Sequence, residues 1–437
     1  MSQSVQTSSH GISDNDILIC AAKRTPLGAY LGQQSSLSAT DMAAAAIAGC
    51  FEQAGLAFTC DQSSCETQTK DSSTSTNSNT SNSVNKSDNL QVPLDGVYIG
   101  CVLPAGLGQA PARQASLFAG IPPSVPCTTI NKVCGSGMKS LMLAADEIAL
   151  GRADALIAGG MESMSRAPFM LPQVRQGQRF GHGEMLDHLY LDGLEDAYSG
   201  KLMGTFADAS ALKFEISREQ MDTFAARSLE LAQEANNSGV FADEIVPLSV
   251  AQRHQDVEIT KDEAPFKAKP EKIPHLKPAF GRDGRVTAAN ASSMADGAAA
   301  MLVTSGRFAR THGLKPLARV LGHATHAQLP AEFTQAPVGA ISKLLTQLGW
   351  ESNTPDLYEI NEAFAMVTLL AIKQLGLNSN KVNVRGGACA LGHPLGATGM
   401  RILVTLLYAL KAQGGGRGIA SLCIGGGEAT AVAIETL

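Results

Sequence analysis

The chain alternates short apolar segments, typical of β-strands, with longer segments of helical periodicity. Near its start, residues 17–21 are predicted to form a strand, 41–54 a helix and 97–100 a second strand. The same alternation returns towards the C-terminus, with a predicted strand at 357–360 and a predicted helix at 363–375. This pattern is characteristic of α/β proteins with a mostly parallel sheet. We therefore expect an α/β fold.

Two parts of the sequence resemble each other. Residues 137–160 and residues 399–426 each open with Gly-Met and a basic residue, continue through a predicted helix and a strand, and end in Gly-Gly. The opening glycine and the closing glycine pair are 22 residues apart in the first part and 26 in the second. Helix–strand–glycine order is common, so chance similarity is the alternative. A duplicated half-domain is the favoured interpretation.

Two segments interrupt the alternation. Residues 62–89 consist mainly of Ser, Thr and Asn, which bury too little apolar surface to offset the entropy of ordering them, so we predict a disordered and dispensable surface insertion. Residues 165–291 lose the strict alternation and are predicted to form an inserted loop domain, with one helix at 217–236 that begins at a capping-box pattern. The predicted organisation is a disordered N-terminus (1–15), a first half (16–164 plus 292–315), the loop domain (165–291) and a second half (316–437).

Composition excludes several functional classes. A chain of 437 residues is expected to hold two or three packed units. A net charge of −6 and only 5% aromatic residues argue against nucleic-acid binding, although a local basic patch can still bind a polyanion such as CoA. We find no uninterrupted run of about 18 apolar residues and expect no membrane span. Because the N-terminus lacks a basic targeting pattern, the expected compartment is the cytosol. Nine cysteines, an odd number, argue against a disulfide framework.

The first motif with reactive groups is V-C-G-S-G-M-K-S at residues 133–140. It places Cys134 at the start of a predicted helix, where free backbone N–H groups and the helix dipole stabilise a thiolate. The small residues that follow let a substrate approach. Taken alone, the motif is also compatible with a buried cysteine in a turn.

The second motif is the glycine-rich sequence G-G-A-C-A-L-G-H-P-L-G-A-T-G at residues 386–399. It holds His393 in a loop directly before a predicted helix, with few bulky neighbours in sequence. That position suits a general base or an oxyanion donor. A structural histidine is the alternative.

The third motif, N-E-A-F-A, begins at Asn361 and follows the predicted strand 357–360. Strand ends are where open α/β sheets bind ligands, and an Asn side chain can position a water molecule without changing charge. A helix N-cap is the alternative for Asn361.

The fourth motif, C-I-G-G-G, begins at Cys423 near the end of a predicted strand. This cysteine could donate a proton, and the glycines expose N–H groups to an anion. The motif lacks the G-K-[ST] of a phosphate loop. A buried strand cysteine followed by a tight turn is the alternative.

Together the four motifs resemble those of the thiolases, which make or split β-ketoacyl-CoA thioesters. The resemblance extends from about residue 17 to the end of the chain, apart from 62–89, and includes G-G-M-E-S-M-S at 159–165 and N-A-S-S-M-A-D-G at 290–297. It implies a thiolase fold: two duplicated βαβαβαββ halves that form a five-layered α-β-α-β-α core, with an inserted loop domain.

The resemblance also implies roles for individual residues. Cys134 is expected to carry the acyl group, and His393 to activate it and bind the thioester oxygen. Asn361 is expected to hold a water in that oxyanion hole, and Cys423 to act as acid and base on the second substrate. The N–H groups of Cys134 and Gly425 are expected to form the other oxyanion hole. The residues expected to line the pantetheine or acyl pocket are Met203, Phe280, Ser292 and Ala363.

The activity implied is the reversible Claisen condensation of two acetyl-CoA molecules to acetoacetyl-CoA and CoA. CoA thioesters would be substrates, with no cofactor and no metal, and the implied assembly is a homotetramer. Residues 192–197 resemble the short-chain type, but Leu202 replaces its usual His, and Arg385 stands where Asn usually precedes Gly-Gly near His393. The alternatives are a longer-chain 3-ketoacyl-CoA thiolase, a decarboxylating condensing enzyme, which would lack Cys423, and an inactive thiolase-like binding protein.

Overall fold

The structure is a computed structural model that describes residues 11–56, 93–251 and 255–437. The predicted insertion at 62–89, together with Cys60 and Cys65, lies outside the described residues, as do residues 1–10 of the predicted disordered N-terminus. Within the described start of the chain, Asp14 forms an ion pair with Arg310, and Asp16 forms one with Arg319.

The strands of the described residues, in chain order, are β1 (Ile17–Arg24), β2 (Gly28–Ala29), β3 (Gly96–Gly100), β4 (Cys127–Ile130), β5 (Ala155–Ser163), β6 (Phe169–Met170), β7 (Leu186–Asp187), β8 (Leu248–Ala251), β9 (Asp256–Ile259), β10 (Ala295–Ser305), β11 (Ala318–Ala327), β12 (Leu357–Ile360), β13 (Arg417–Ile424) and β14 (Glu428–Thr436). The α-helices are α1 (Ala39–Ala54), α2 (Pro111–Phe118), α3 (Ser136–Ala149), α4 (Met203–Lys213), α5 (Arg218–Ser238), α6 (Gly306–Thr311), α7 (Ala336–Leu348), α8 (Ala365–Leu375), α9 (Ala388–Leu391) and α10 (Leu395–Ala412).

The main sheet has the strand order β12-β13-β14-β11-β1-β10-β5-β3-β4, with β2 added beside β10. Its two halves meet where β1 pairs with β11 through only two residue pairs, Leu18 with Arg319 and Ile19 with Ala318. The expectation of a mostly parallel sheet was wrong. Parallel pairing is confined to β4-β3-β5 and β12-β13. The other neighbours are antiparallel, and β13 and β14 form a hairpin because the three glycines 425–427 allow a tight turn.

Helices cover both sheet halves and fill the space between them, which confirms the predicted five-layered core. Helices α1 and α2 pack on the outer face of the first half, and α7 and α8 pack on the outer face of the second. Helices α3 and α10 lie between the halves in a shared apolar core. Helix α10 is long and apolar enough to cross a bilayer by length and composition, but 89% of it is buried, as expected for the central helix of a layered protein.

The duplicated sequence segments meet face to face in the middle layer. A Cβ atom on Gly137 would lie 3.0 Å from the backbone nitrogen of Met400, and one on Gly399 would lie 2.5 Å from that of Met138. The same Gly-Met pair of each half thus packs against its counterpart. Only glycine allows the helices to approach so closely at their N-termini.

The end of one strand and the start of one helix differ from the sequence prediction for the same reason. The strand expected to end before Gly159-Gly160 continues to Ser163 as β5, and the helix expected from Gly399 begins at Leu395. A Cβ atom on Gly160 would lie 2.2 Å from the Gly396 carbonyl oxygen. These glycines therefore permit close packing of β5 on α10 and do not end either element.

The segment 165–291 contains α4, α5 and two small two-stranded sheets, β6-β7 and β8-β9. Helix α5 begins at the predicted capping box: Ser217 Oγ accepts from the Gln220 N–H, and Gln220 Oε1 accepts from the Ser217 N–H. The segment is fastened to the first half by the fully buried Arg24, whose guanidinium lies 2.6 Å from Glu244 and 2.7 Å from Asp262.

Candidate active site

The turn before α3 presents Cys134. Val133 has a φ of 47°, an uncommon conformation for a β-branched residue. The turn is closed by hydrogen bonds from the Gly135 N–H to the Lys132 carbonyl (3.0 Å) and from the Lys132 N–H to Ser136 Oγ (2.8 Å). This strained backbone places Cys134 immediately outside the helix, as the sequence predicted.

The backbone N–H groups of Gly425 and of Cys134 itself lie near the Cys134 sulfur and lower the pKa of its thiol. These are the two groups expected to form an oxyanion hole. Burial nevertheless raises the pKa of the thiol to about 11, and the nearby Glu162 carboxylate adds to this effect. Desolvation therefore outweighs the stabilisation of a thiolate that these N–H groups provide. The cysteine at rest is a thiol that needs a base.

His393 is buried just before α10, and its ring has one partner. Its backbone N–H donates to the Ser293 carbonyl (2.8 Å), and its Nδ1 lies 2.6 Å from Thr398 Oγ1. Its Nε2 is buried without a hydrogen-bond partner among the described residues. Burial, together with the charge of Arg401, lowers the pKa of His393 to about 3. The ring is therefore neutral at physiological pH and keeps one nitrogen free.

Asn361 follows β12 and is buried, with its backbone N–H donating to the Ser421 carbonyl on β13 (2.9 Å). Both polar atoms of its side chain lack partners in the part of the chain that the structure describes. A buried amide left in this way is costly unless it binds water or a ligand. The side chain is thus suited to hold a water molecule.

Cys423 is buried near the end of β13, two residues before Gly425. Burial raises the pKa of its thiol well above the ordinary value, and the charge of Cys134 raises it further, so the two sulfurs lie close enough to interact. The structure therefore brings Cys134, Cys423 and Gly425 together from opposite halves of the sequence.

Three of the predicted pocket residues, Met203, Phe280 and Ala363, pack in one apolar cluster with Cys423. A Cβ atom on Gly425 would lie 3.6 Å from Met203 Cε, so Met203 covers the turn that carries the oxyanion donor. The fourth residue, Ser292, donates its backbone N–H to the Ala363 carbonyl (2.9 Å).

A cavity of about 700 Å³ opens beside this cluster. Phe280 and Ser292 line it, and Lys267, Lys269 and Lys272 line it as well. Lys267 is paired with Glu263 (2.5 Å). The cavity thus combines an apolar wall with positive charge, the combination that a long ligand with an anionic end requires.

Sequence reasoning missed two buried carboxylates that hold the motifs in place. Glu362, next to Asn361, accepts hydrogen bonds from Ser228 Oγ (2.7 Å), Asn383 Nδ2 (2.8 Å) and the Cys389 N–H (3.1 Å). It ties the Asn361 motif to the His393 loop and to α5. Its position inside the N-E-A-F-A motif was the available signal.

The second carboxylate, Glu162, accepts from the backbone N–H groups of Val102 (3.1 Å), Leu103 (3.1 Å) and Gly396 (2.8 Å). It thereby fixes the first turn of α10 against the end of β5. Burial raises the pKa of this carboxyl to about 7. The G-G-M-E-S-M-S motif contained it, but the sequence did not show that its partners are backbone groups.

Arg385 does not belong to the surroundings of His393 that its sequence position suggested. Its guanidinium donates to the carbonyls of Tyr408 (3.0 Å) and Val240 (3.3 Å) and lies 3.3 Å from Glu244. It joins α10 to the segment 165–291, because its long side chain reaches away from the glycine-rich loop.

Comparisons with known proteins agree with this architecture. Family models for the thiolase N-terminal and C-terminal domains match residues 78–307 and 314–436. Acetyl-CoA acetyltransferase 2 of Arabidopsis thaliana is 44% identical over 432 residues, covering 98% of this chain and 99% of the relative. Acetyl-CoA acetyltransferase of Allochromatium vinosum is 42% identical over 426 residues, covering 97% and 100%.

Solved thiolase structures have a similar fold. The Acat5 thiolase from Ascaris suum in complex with coenzyme A superimposes with a TM-score of 0.84 at 39% identity, covering 97% of this chain and all of that one. The acetyl-CoA acetyltransferase of Bacillus anthracis superimposes with a TM-score of 0.86 at 37% identity, covering 97% and 99%.

Proposed function

This chain belongs to the thiolase family, and we propose that it is an acetyl-CoA C-acetyltransferase that joins two acetyl-CoA molecules into acetoacetyl-CoA and CoA, reversibly. One observation carries the proposal: the turn that presents Cys134 packs against the glycine turn that follows the buried Cys423, where a Cβ atom on Gly425 would lie 3.6 Å from Val133 Cγ1. The names of the two sequence relatives support the choice of acetyl-CoA as substrate.

In the first half-reaction, the free Nε2 of His393 takes the thiol proton of Cys134. The thiolate attacks the thioester carbonyl of acetyl-CoA, and the N–H groups of Cys134 and Gly425 stabilise the oxyanion that forms. The tetrahedral intermediate collapses with release of CoA, whose thiolate recovers the proton from His393. The product is an acetyl thioester on Cys134.

In the second half-reaction, His393 Nε2 takes the thiol proton of Cys423, and the resulting Cys423 thiolate removes a proton from the methyl carbon of a second acetyl-CoA. The enolate oxygen is stabilised by the water on Asn361 and by the protonated Nε2 of His393, which now acts as a donor. The carbanion attacks the acetyl group on Cys134, acetoacetyl-CoA is released, and the proton on His393 passes to the Cys134 thiolate, which leaves both cysteines as thiols.

The cavity beside Ser292 suits the body of a CoA thioester. Its apolar wall near Phe280 can pack against pantetheine, and its lysines can attract phosphate groups. Because Lys267 is already paired with Glu263, Lys269 and Lys272 are the stronger candidates for the phosphates. Replacing both with Met should raise KM for acetyl-CoA and leave kcat nearly unchanged, since phosphates do not react.

Mass spectrometry after mixing with acetyl-CoA tests the activity. The protein should gain one acetyl group on Cys134, and Cys134→Ala should gain none while keeping its fold. A protein that binds acetyl-CoA without labelling would be an inactive thiolase-like binding protein. Thiolysis rates on a chain-length series of 3-ketoacyl-CoAs separate the proposed activity from that of a longer-chain 3-ketoacyl-CoA thiolase.

We also propose a homotetramer in the cytoplasm, acting in lipid metabolism. In support of an assembly, the segment 165–291 exposes large apolar side chains: Phe169, Leu171, Val174, Phe180, Met185 and Tyr198. Large exposed apolar side chains that recur in one segment are often found at protein–protein contacts. Light scattering coupled to gel filtration tests the stoichiometry.

A further inference from the structure

An ion pair joins the two turns that carry the proposed reacting groups. Lys132 lies two residues before Cys134, and Glu428 directly follows the glycine turn 425–427. Lys132 Nζ contacts Glu428 Oε2, although the two residues are 296 positions apart in sequence. The pair therefore connects the first half of the chain to the second beside the site.

Each member of the pair has a backbone fixed within its own turn. The Lys132 N–H donates to Ser136 Oγ (2.8 Å), and the Lys132 carbonyl accepts from Gly135 (3.0 Å), so the residue is part of the Cys134 turn. Glu428 pairs with Ile424 across the β13-β14 hairpin and closes the Gly425 turn. The ion pair between the two side chains therefore links the backbones of the two turns.

Apolar contacts also join the backbones of these two turns. A Cβ atom on Gly135 would lie 2.4 Å from Ile424 Cδ1, and one on Gly425 would lie 3.6 Å from Val133 Cγ1. Such contacts limit how closely the turns approach, but they are non-directional and resist sliding weakly. The ion pair adds a directional link, and with side chains only 22% and 35% exposed it is partly shielded from water and salt.

We propose that Lys132 and Glu428 are positioning residues that hold the glycine turn 425–427 against the Cys134 turn, so that the Gly425 N–H faces the oxyanion formed on the acyl group at Cys134. Neither is assigned a contact with the reacting atoms. Their effect is on the alignment of the donor with the oxyanion, and a misplacement of about 1 Å at such a position can cost about a hundredfold in rate. The inference rests on the transferase activity proposed above.

The test uses the full chain with Lys132→Met, Glu428→Gln, the two combined, and the exchanged pair K132E/E428K. Acetyl transfer to Cys134, kcat, KM and the thermal midpoint are measured for each. Each single variant should lower kcat about tenfold and change KM less than about twofold, and the combined variant should lose no more than either single one. The exchanged pair should recover most of the loss in kcat.

The matched control is Arg152→Met, which breaks the exposed Arg152–Glu147 pair on the surface of the protein. This variant should have the kcat and KM of the wild type.

Wild-type kcat in both single variants would overturn the inference. The inference would also be overturned if the kcat losses of the two single variants add up in the combined variant, because additive losses mean that the two side chains act independently. This comparison does not depend on whether the exchanged pair folds. If the wild-type protein itself accepts no acetyl group, the proposed function fails. A labelled wild type with unaffected variants refutes only the positioning role.

Discussion

The hydroxyl of Thr398 lies 2.6 Å from Nδ1 of His393 and donates its own proton to the Pro394 carbonyl at 2.9 Å. A carbonyl can only accept, so the single hydroxyl proton is committed to Pro394. The proton of the neutral imidazole therefore resides on Nδ1, and Nε2 keeps a free lone pair. Thr398 thus selects the tautomer in which His393 can act as a base.

Alkylation of Cys134 by iodoacetamide should depend on that base. With a thiol pKa of about 11, only about one Cys134 in ten thousand is ionised at pH 7 without help. His393→Ala should therefore slow alkylation at pH 7 by at least about a hundredfold, and the rate should rise with pH towards 11 as the thiolate forms. Cys134→Ala gives the background labelling. Equal rates for wild type and His393→Ala at pH 7 would mean that another group takes the proton.

Replacing Thr398 tests the tautomer directly. Thr398→Val keeps the shape of this fully buried side chain but removes the acceptor, so the Nδ1 proton loses its partner and the other tautomer is no longer disfavoured. We expect kcat to fall about ten- to a hundredfold with little change in KM. Thr398→Ser retains the hydroxyl and should stay close to wild type. If Thr398→Val and Thr398→Ser have the same kcat, the hydroxyl does not set the tautomer.

Cys423 should separate the two half-reactions. A serine hydroxyl is a far weaker acid than a thiol and cannot supply the anion that removes the methyl proton. Cys423→Ser should therefore still transfer acetyl to Cys134 at a rate within about threefold of wild type, while condensation falls by about 10²–10⁴. Acetyl labelling and condensation are measured on the same preparation. Equal loss in both would assign the two cysteines a different division of labour.

Local sequence signals predicted the elements that carry the motifs. The strand at 357–360 and the Ser217 capping box depend on residues adjacent in sequence, and both were found as predicted. Glycines were harder to interpret, because Gly159 and Gly160 lie inside β5 and not after it. Gly160 lies against Gly396 of α10 and Gly159 lies against Ala299 of β10, and both partners are far away in sequence.

The motifs indicated Cys134 and His393 as candidate reacting groups, but they did not indicate the protonation of these side chains. The raised pKa of Cys134 and the lowered pKa of His393 arise from burial, which a sequence does not display. Glu162 was missed as a functional group for a related reason. Its partners are backbone N–H groups and the weakly donating thiol of Cys101, so no oppositely charged side chain signals the contact.

Arg385 should matter for stability and not for chemistry. Replacing it with Ala removes a donor from the buried carbonyl of Tyr408 and from the carbonyl of Val240, whereas the Glu244 carboxylate still accepts hydrogen bonds from Arg24 and Thr405. We expect Arg385→Ala to lower the free energy of unfolding by about 2–3 kcal/mol, measured by urea denaturation. Arg385→Lys keeps the charge but not the planar fork of donors, so its free energy of unfolding should lie between those of the wild type and Arg385→Ala. A kcat loss without loss of stability would return Arg385 to the active site.

The last prediction concerns Leu202, the N-cap of α4, directly before Met203. Its carbonyl accepts from the Thr205 N–H (2.9 Å), so its backbone fixes the first turn of the helix that places Met203 against the glycine turn. Leu202 has no side-chain donor to orient water or a thioester oxygen. If its side chain faces the acyl group, it offers an apolar wall, and each buried methylene contributes about 0.8 kcal/mol.

We therefore expect the enzyme to accept chains beyond four carbons while retaining acetoacetyl-CoA. One methylene changes discrimination by only about 1–3 kcal/mol, so the preference should be graded along the series. Leu202→His should shift kcat/KM towards acetoacetyl-CoA relative to longer 3-ketoacyl-CoAs, because the imidazole adds a polar donor and narrows the pocket. Leu202→Met, similar in volume and still apolar, is the control and should leave the ratio unchanged. An unchanged ratio in Leu202→His would mean that this side chain does not face the acyl group, and that chain length is set elsewhere in residues 165–291.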